Sequence, residues 1–222
     1  MPPARRQRNI VELARDWFAV VLFAVIAVSV FAKVGEDVFA HETTAFDNTM
    51  QTWVLAHQQP AITEFFLVVT TLGGIAGMFV LSVIGAEFLW TRDRRHVASS
   101  VLIAPVVALG LFSLIKRAYA RPRPSGLGGI VSSSYSFPSG HATASAAVCC
   151  TLAYVLWREG FVRRAWAIAF AIVVPLLTGF SRVYLNVHWA TDVLGGWSAG
   201  VLIAVICAVL YDHSRRRRQS AV

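Results

Sequence analysis

Three short stretches carry residues whose types and spacing could do chemistry on an anion. KRAYARPRP, residues 116–124, brings Lys116, Arg117, Arg121 and Arg123 close together in the chain. FPSGH, residues 137–141, ends in His141 and leads into the apolar run AAVCCTLAYVLW. SRVYLNVHWATD, residues 181–192, holds Arg182, His188 and Asp192. The guanidinium forks of Arg123 and Arg182 match phosphate oxygens bidentately, and Lys116 adds a fixed positive charge. Pro-Ser-Gly-His reads as a helix start, so the backbone N–H groups near Ser139, Gly140 and His141 lie unpaired at a positive dipole end, a ready anion site. Ser139 can add a hydroxyl donor, and Gly140 lets the backbone approach an oxyanion closely. His188 and Asp192 are four apart and share a face on a helix. A carboxylate on one ring nitrogen fixes the tautomer and activates the other nitrogen as base or nucleophile. A second histidine, His141, then suits a general acid. By ligand type His141, His188 and Asp192 could also hold a metal, but the surrounding Lys and Arg disfavour a cation, so no metal site is expected.

The elements that must position these residues follow from composition and charge. The chain has 222 residues, 56% hydrophobic and 14% charged, with a mean hydropathy of +0.60. That is membrane-protein composition. Six segments are apolar enough to span a bilayer with help from flanking Arg, Lys and Trp: 17–32, 65–90, 97–115, 142–157, 165–180 and 193–211. Pro105 and Pro175 fall inside spans, where they kink a helix without forbidding it. The first apolar run shows no clear small-residue cleavage site and is read as an uncleaved span rather than a signal peptide. Cys149, Cys150 and Cys207 all lie in apolar runs without metal or redox spacing, which leaves them a packing role.

Charge orients the bundle. With the N-terminus in the cytoplasm, the inner side receives Arg5, Arg6, Arg8, Arg15, Arg92, Arg94, Arg95, Arg158, Arg163, Arg164 and Arg215 to Arg218, fourteen of the twenty Lys and Arg. Both termini and two short linking loops thus obey the positive-inside rule. The net charge of +8 is explained by topology and needs no nucleic-acid partner. The outer side keeps Lys33, Lys116, Arg117, Arg121, Arg123 and Arg182, and all but Lys33 fall in the reactive stretches. All three stretches therefore meet at the outer face, and ionisable residues at a span boundary are expensive and usually functional. The expected architecture is all-α and polytopic, with six transmembrane helices in one domain over 1–222. Its basic tails 1–12 and 213–222 lie in the cytoplasm, and the active site sits at the outer membrane–water interface.

Together the stretches resemble the signature motifs of the type-2 phosphatidic acid phosphatase family, integral lipid phosphate phosphatases related to the vanadium haloperoxidases. The family pattern K-x6-R-P, P-S-G-H, S-R-x5-H-x3-D is matched by Lys116…Arg123-Pro124, by Pro138-Ser139-Gly140-His141 and by Ser181-Arg182…His188…Asp192. Arg121-Pro122 offers a second Arg-Pro two residues early; the spacing selects Arg123 and leaves Arg121 as an auxiliary phosphate contact. The resemblance implies a phosphatase that uses no metal or other cofactor and acts through a phosphohistidine. His188 would attack phosphorus, Asp192 would hold its ring, and His141 would protonate the leaving group. Lys116, Arg123, Arg182, Ser139 and the Gly140 N–H would bind the phosphoryl oxygens and stabilise the transition state. Implied partners are the bilayer and a lipid phosphate or pyrophosphate, with undecaprenyl pyrophosphate or phosphatidylglycerol phosphate favoured over phosphatidic acid. The arginine-rich tail and compact plan point to a bacterial inner membrane, with the site facing the periplasm or exterior. A phosphotransferase and a non-catalytic lipid carrier are the alternatives on the same scaffold.

Smaller features carry expectations of their own. Thr44-x-x-Asp47 reads as a capping box opening an amphipathic helix with Phe46, Met50, Trp53, Val54 and His57 on one face, either shaping lipid access or packed as a loop helix. Gly73 and Gly77 have GxxxG spacing, which allows close helix packing within or between chains. Arg117 and Tyr119 are expected to face the interface without a special role, and the RRRR tail to lie near anionic head groups.

Overall fold

The computed structural model describes residues 10–124 and 134–220, with side chains except those of residues 10–17, 19 and 218–220. Arg5, Arg6 and Arg8 lie outside the described residues. Among the described residues eight helices run in order: α1 (Ile10–Phe39), α2 (Thr44–Ala56), α3 (Pro60–Leu72), α4 (Ile75–Thr91), α5 (Arg95–Tyr119), α6 (Gly140–Arg158), α7 (Arg164–Tyr184) and α8 (Ala190–Ser220). No strand occurs among the described residues. Four helices, α5 to α8, are long and apolar enough to cross a membrane; α3 and α4 together make a fifth candidate, bent by 50° at their junction. Apolar side chains that water would penalise stand exposed around the bundle, among them Leu22 and Val25 on α1, Val106 on α5 and Ile172 on α7, as expected of helices in lipid.

The bend was not expected from the continuous apolar run 65–90. Pro60 presets the first turn of α3, and Gly73 ends it. A Cβ on Gly73 would lie 2.0 Å from Thr178 Oγ1 of α7, and one on Gly77 would lie 2.0 Å from the Leu72 carbonyl oxygen. These glycines thus form the break and its seat on α7, instead of a straight GxxxG face. α8 continues as helix through the basic stretch to Ser220.

α6 is the central helix, with 14 of its 19 residues buried inside the protein. Its small residues Ala142 and Ala146 let α8 approach closely. A Cβ on Gly200 would come within 2.6 Å of Ala146 Cβ, and one on Gly196 within 2.7 Å of the Ser139 carbonyl oxygen. The spacing Gly196-x-x-x-Gly200 is the signal in the sequence for this contact. α5 ends where Ala120 turns left-handed at φ 46°, followed by Pro122 and Pro124, which cannot continue a helix.

The expected capping box does not form. Thr43 is the N-cap, no side chain caps α2, and Thr44 Oγ1 donates instead to the His41 carbonyl. Asp47 turns away from the helix end because stronger partners hold it elsewhere. The apolar face of α2 is split as well: Val54 is buried in a cluster with Leu185 and Val187, whereas Phe46 and Trp53 are half-exposed. Tyr119 also departs from expectation, packing at a tilt of 47° on Phe137 with centroids 4.6 Å apart and lying against Gly35.

Candidate active site

The last turn of α5, the loop before α6, the end of α7 and the start of α8 converge at one end of the bundle. They bring Lys116, Arg123, His141, Arg182, His188 and Asp192 into one electrostatic neighbourhood, with Lys116, Arg123 and Arg182 acting on both histidines. The cluster of Phe66, Ala142, Val183, Leu185 and Val193 forms the apolar floor beneath it.

His188 lies in the α7–α8 connection, where Asn186 adopts a left-handed φ of 53° to reverse the chain. Its Nδ1 stands 3.2 Å from Asp192 Oδ2, an oxygen that also accepts the Trp189 backbone N–H at 2.9 Å. Its Nε2 accepts an N–H of Arg123 at 3.0 Å. Arginine can only donate, so the ring carries its proton on Nδ1 and its lone pair on Nε2. Burial, then the charges of Arg123, Lys116 and Arg182, hold the His188 pKa well below the ordinary imidazole value. His188 is therefore neutral at pH 7 and nucleophilic at the nitrogen that faces the cations.

Those cations have no carboxylate partner among the described residues. Lys116 donates to the carbonyls of Tyr135 and Ser136. Arg123 donates to the carbonyls of Ser134 and Val187, each at 2.7 Å. Arg182 is held by Thr70 of α3, whose hydroxyl accepts at 2.6 Å. Two buried polar atoms, Arg182 Nε and Ser139 Oγ, have no hydrogen-bond partner. Unpaired buried donors beside uncompensated positive charge are expensive unless an anion completes them. Ser139 is the N-cap residue of α6 but makes no capping bond, which leaves its hydroxyl free for an oxyanion.

Gly140 opens α6, but its missing side chain serves packing: a Cβ there would lie 3.3 Å from the Phe112 ring. The residue type thus answers to Phe112, while the helix-start N–H is common to any residue at that place. His141 follows in the first turn, with its ring against the α3–α4 break; a Cβ on Gly74 would stand 3.1 Å from His141 Nε2. The broken span therefore reaches into the site, a contact no motif announces.

Arg121 does not serve as an auxiliary phosphate contact. Its guanidinium donates to Asp192 Oδ1 at 2.7 Å, Asp47 Oδ2 at 2.6 Å, Thr191 Oγ1 at 2.9 Å and Thr43 Oγ1 at 3.0 Å, on the side of Asp192 away from His188. Asp47, Thr43 and Thr70 all contribute to the assembly and none was read from the sequence. Asp47 was visible only as a helix-start acid. Among the described residues no three His, Cys, Asp or Glu side chains gather as a metal cluster.

The site is thus a histidine oriented by a carboxylate beside three cations that form no ion pair with a carboxylate among the described residues. The model of the PAP2 superfamily matches residues 96–216, more than half of the chain. The chain belongs to the PAP2 superfamily. Phosphatidylglycerophosphatase B of Bacillus subtilis is 34% identical over 166 residues, spanning 73% of this chain and 81% of that protein. An undecaprenyl-diphosphatase of Sulfolobus acidocaldarius is 28% identical over 153 residues, 62% of this chain and 70% of its own. The crystal structure of a transmembrane PAP2-type phosphatidylglycerolphosphate phosphatase from Bacillus subtilis superposes with a TM-score of 0.76 at 28% identity, covering 87% of this chain and 96% of that one. This PAP2 protein is an integral membrane phosphatase.

Proposed function

We propose that this PAP2 phosphatase releases phosphate from a lipid phosphate or pyrophosphate at the outer face of a bacterial plasma membrane, by way of a phosphohistidine. In this reading α1, the bent α3–α4 pair and α5 to α8 make six spans, with both termini cytoplasmic. The single observation that carries the mechanism is the polarity of His188, with Nδ1 on Asp192 and the lone pair of Nε2 turned to Arg123. Phosphoryl oxygens take over donors of Arg123, Lys116 and Arg182, together with the unpartnered Ser139 hydroxyl and the N–H groups at the start of α6. Loss of the Arg123 hydrogen bond frees the Nε2 lone pair. Nε2 then bonds to phosphorus as the bond to the leaving oxygen breaks, and His141 supplies the proton that oxygen needs. In the second half His141 takes a proton from water, whose oxygen displaces Nε2 and releases phosphate. Positioning and charge stabilisation dominate phosphoryl transfer, so three fixed cations suffice for its electrostatics.

The names of the relatives favour phosphatidylglycerol phosphate or undecaprenyl pyrophosphate as substrate, with phosphatidic acid as a further candidate. The test is phosphate release by the purified protein from a panel of these lipids in detergent micelles, beside His188→Ala. Wild type should release phosphate without an added acceptor, and His188→Ala should retain less than about one thousandth of that rate. Release by the folded variant would remove His188 as nucleophile; no release by wild type from any lipid phosphate would remove the hydrolase reading.

A further inference from the structure

Asp47 belongs to none of the three motif stretches, yet it is one of the most buried carboxylates, with its side chain 1% exposed. It arrives on α2 and lodges against the start of α8. Oδ1 accepts the Thr191 backbone N–H at 3.1 Å, and Oδ2 accepts the Thr191 hydroxyl at 2.6 Å and Arg121 Nη2 at 2.6 Å. The other arm of Arg121, Nη1, donates to Asp192 Oδ1 at 2.7 Å. The Arg121 guanidinium, lying over the Trp189 ring at 5.6 Å, thus bridges two buried carboxylates.

This bridge divides the oxygens of Asp192. Oδ1 goes to Arg121, while Oδ2 goes to His188 Nδ1 and the Trp189 N–H. An arginine facing one carboxylate prefers the bidentate arrangement, one N–H to each oxygen. Here Asp47 and Thr43 hold Nη2 and the Thr191 hydroxyl takes the other N–H of Nη1, so neither Nη group has a second N–H to offer Oδ2. Resting on the reading of His188 as nucleophile, we propose that Asp47 and Arg121 are positioning residues for phosphoryl transfer: Asp47 restrains Arg121 to one oxygen of Asp192 and so reserves the other for His188. Without Asp47, Nη2 turns onto Oδ2 and competes with His188 for it. The imidazole then loses its fixed tautomer and its aim at phosphorus, and a misplacement of about 1 Å at a reacting atom costs on the order of 10²-fold in rate.

The experiment is a double-mutant cycle on phosphate release from phosphatidylglycerol phosphate, using Asp47→Asn, Asp192→Asn and both together, with Arg121→Lys alongside. Folding is checked by gel filtration and Tm. Folded Asp47→Asn should lose about 10- to 100-fold in kcat with KM changed less than about threefold, because substrate contacts are untouched. In the Asp192→Asn background the same change should cost nothing further, since its effect passes through that carboxylate. Arg121→Lys keeps the charge but not the fork and should show the same loss of kcat. If Asp47→Asn does not fold, Arg121→Lys decides alone. A kcat within twofold of wild type for the folded variant overturns the proposal, as does a full additional loss on top of Asp192→Asn. His188→Ala separates the two levels: if it is inactive while Asp47→Asn and Arg121→Lys are fully active, only the positioning role fails. If it retains turnover, the nucleophile reading beneath it fails.

Discussion

The two ends of α6 hold buried charge in opposite ways. At its C-terminal end Arg158 meets Asp212 of α8 at 3.1 Å with both side chains 6% exposed, and Tyr154 donates to the same carboxylate. Arg94 meets Glu159 at 2.7 Å, and Glu159 also accepts the Tyr211 hydroxyl. At its N-terminal end Lys116, Arg123 and Arg182 face carbonyls, a hydroxyl and one another's neighbourhood, with no direct ion pair to a carboxylate among the described residues. Arg158 and Asp212 at one end, and Lys116 and Arg182 at the other, are all buried. What separates them is bookkeeping of charge: the first is closed by its own carboxylates, and the second needs an anion from outside. A structural clamp and a binding site can thus be told apart by what their cations lack.

Replacing one cation at each end tests the contrast, and the largest effect should fall on catalysis. Arg182→Met removes a donor that the proposed mechanism directs at the phosphoryl oxygens and should lower kcat/KM by about 10²- to 10³-fold. Its Tm should hold or rise, because a desolvated and unpaired cation has gone. Arg158→Met should do the reverse. It leaves Asp212 buried without its cation and should cost about 3–5 kcal/mol of stability, read as a lower Tm, with kcat/KM per folded molecule unchanged. The pair Arg158→Met/Asp212→Leu should recover most of that loss. Equal falls in Tm for Arg182→Met and Arg158→Met would erase the distinction.

The smallest effect concerns pH. The His188 pKa lies below its unfolded value, near 6.5 for a free imidazole, so below about pH 6.5 the unfolded chain binds the extra proton. Stability should fall as pH drops from 7 to 5, and part of that fall belongs to His188. His188→Asn should show a smaller fall in Tm over the same range, and an identical fall would contradict the depressed pKa.

Much of the site was readable along the chain. His188 and Asp192 are four residues apart and close in the chain, although His188 lies in the connection before α8 rather than on a helix face shared with Asp192. Lys116, Arg123 and Arg182 stood out because they break the charge bias of the other loops. The α3–α4 break was harder, since hydropathy is continuous through Gly73 and Gly74 and a bend changes no apolar count. Arg121 was misassigned for a different reason. A guanidinium beside a phosphate and one beside a carboxylate look alike in a sequence, and only the position of Asp192 relative to Asp47 separates them.

By itself, then, the sequence determined that this chain is helical, lives in a membrane and carries a histidine–carboxylate pair under positive charge. These follow from local composition and short spacings, which no distant contact can undo. The tertiary structure alone decided which cations are free and which are engaged. Asp47 lies 144 residues from Thr191, and its approach depends on α2 docking across the end of the bundle. Charge balance in a buried site is a sum over every neighbour in space, and neighbours in space are what a linear order of residues does not contain.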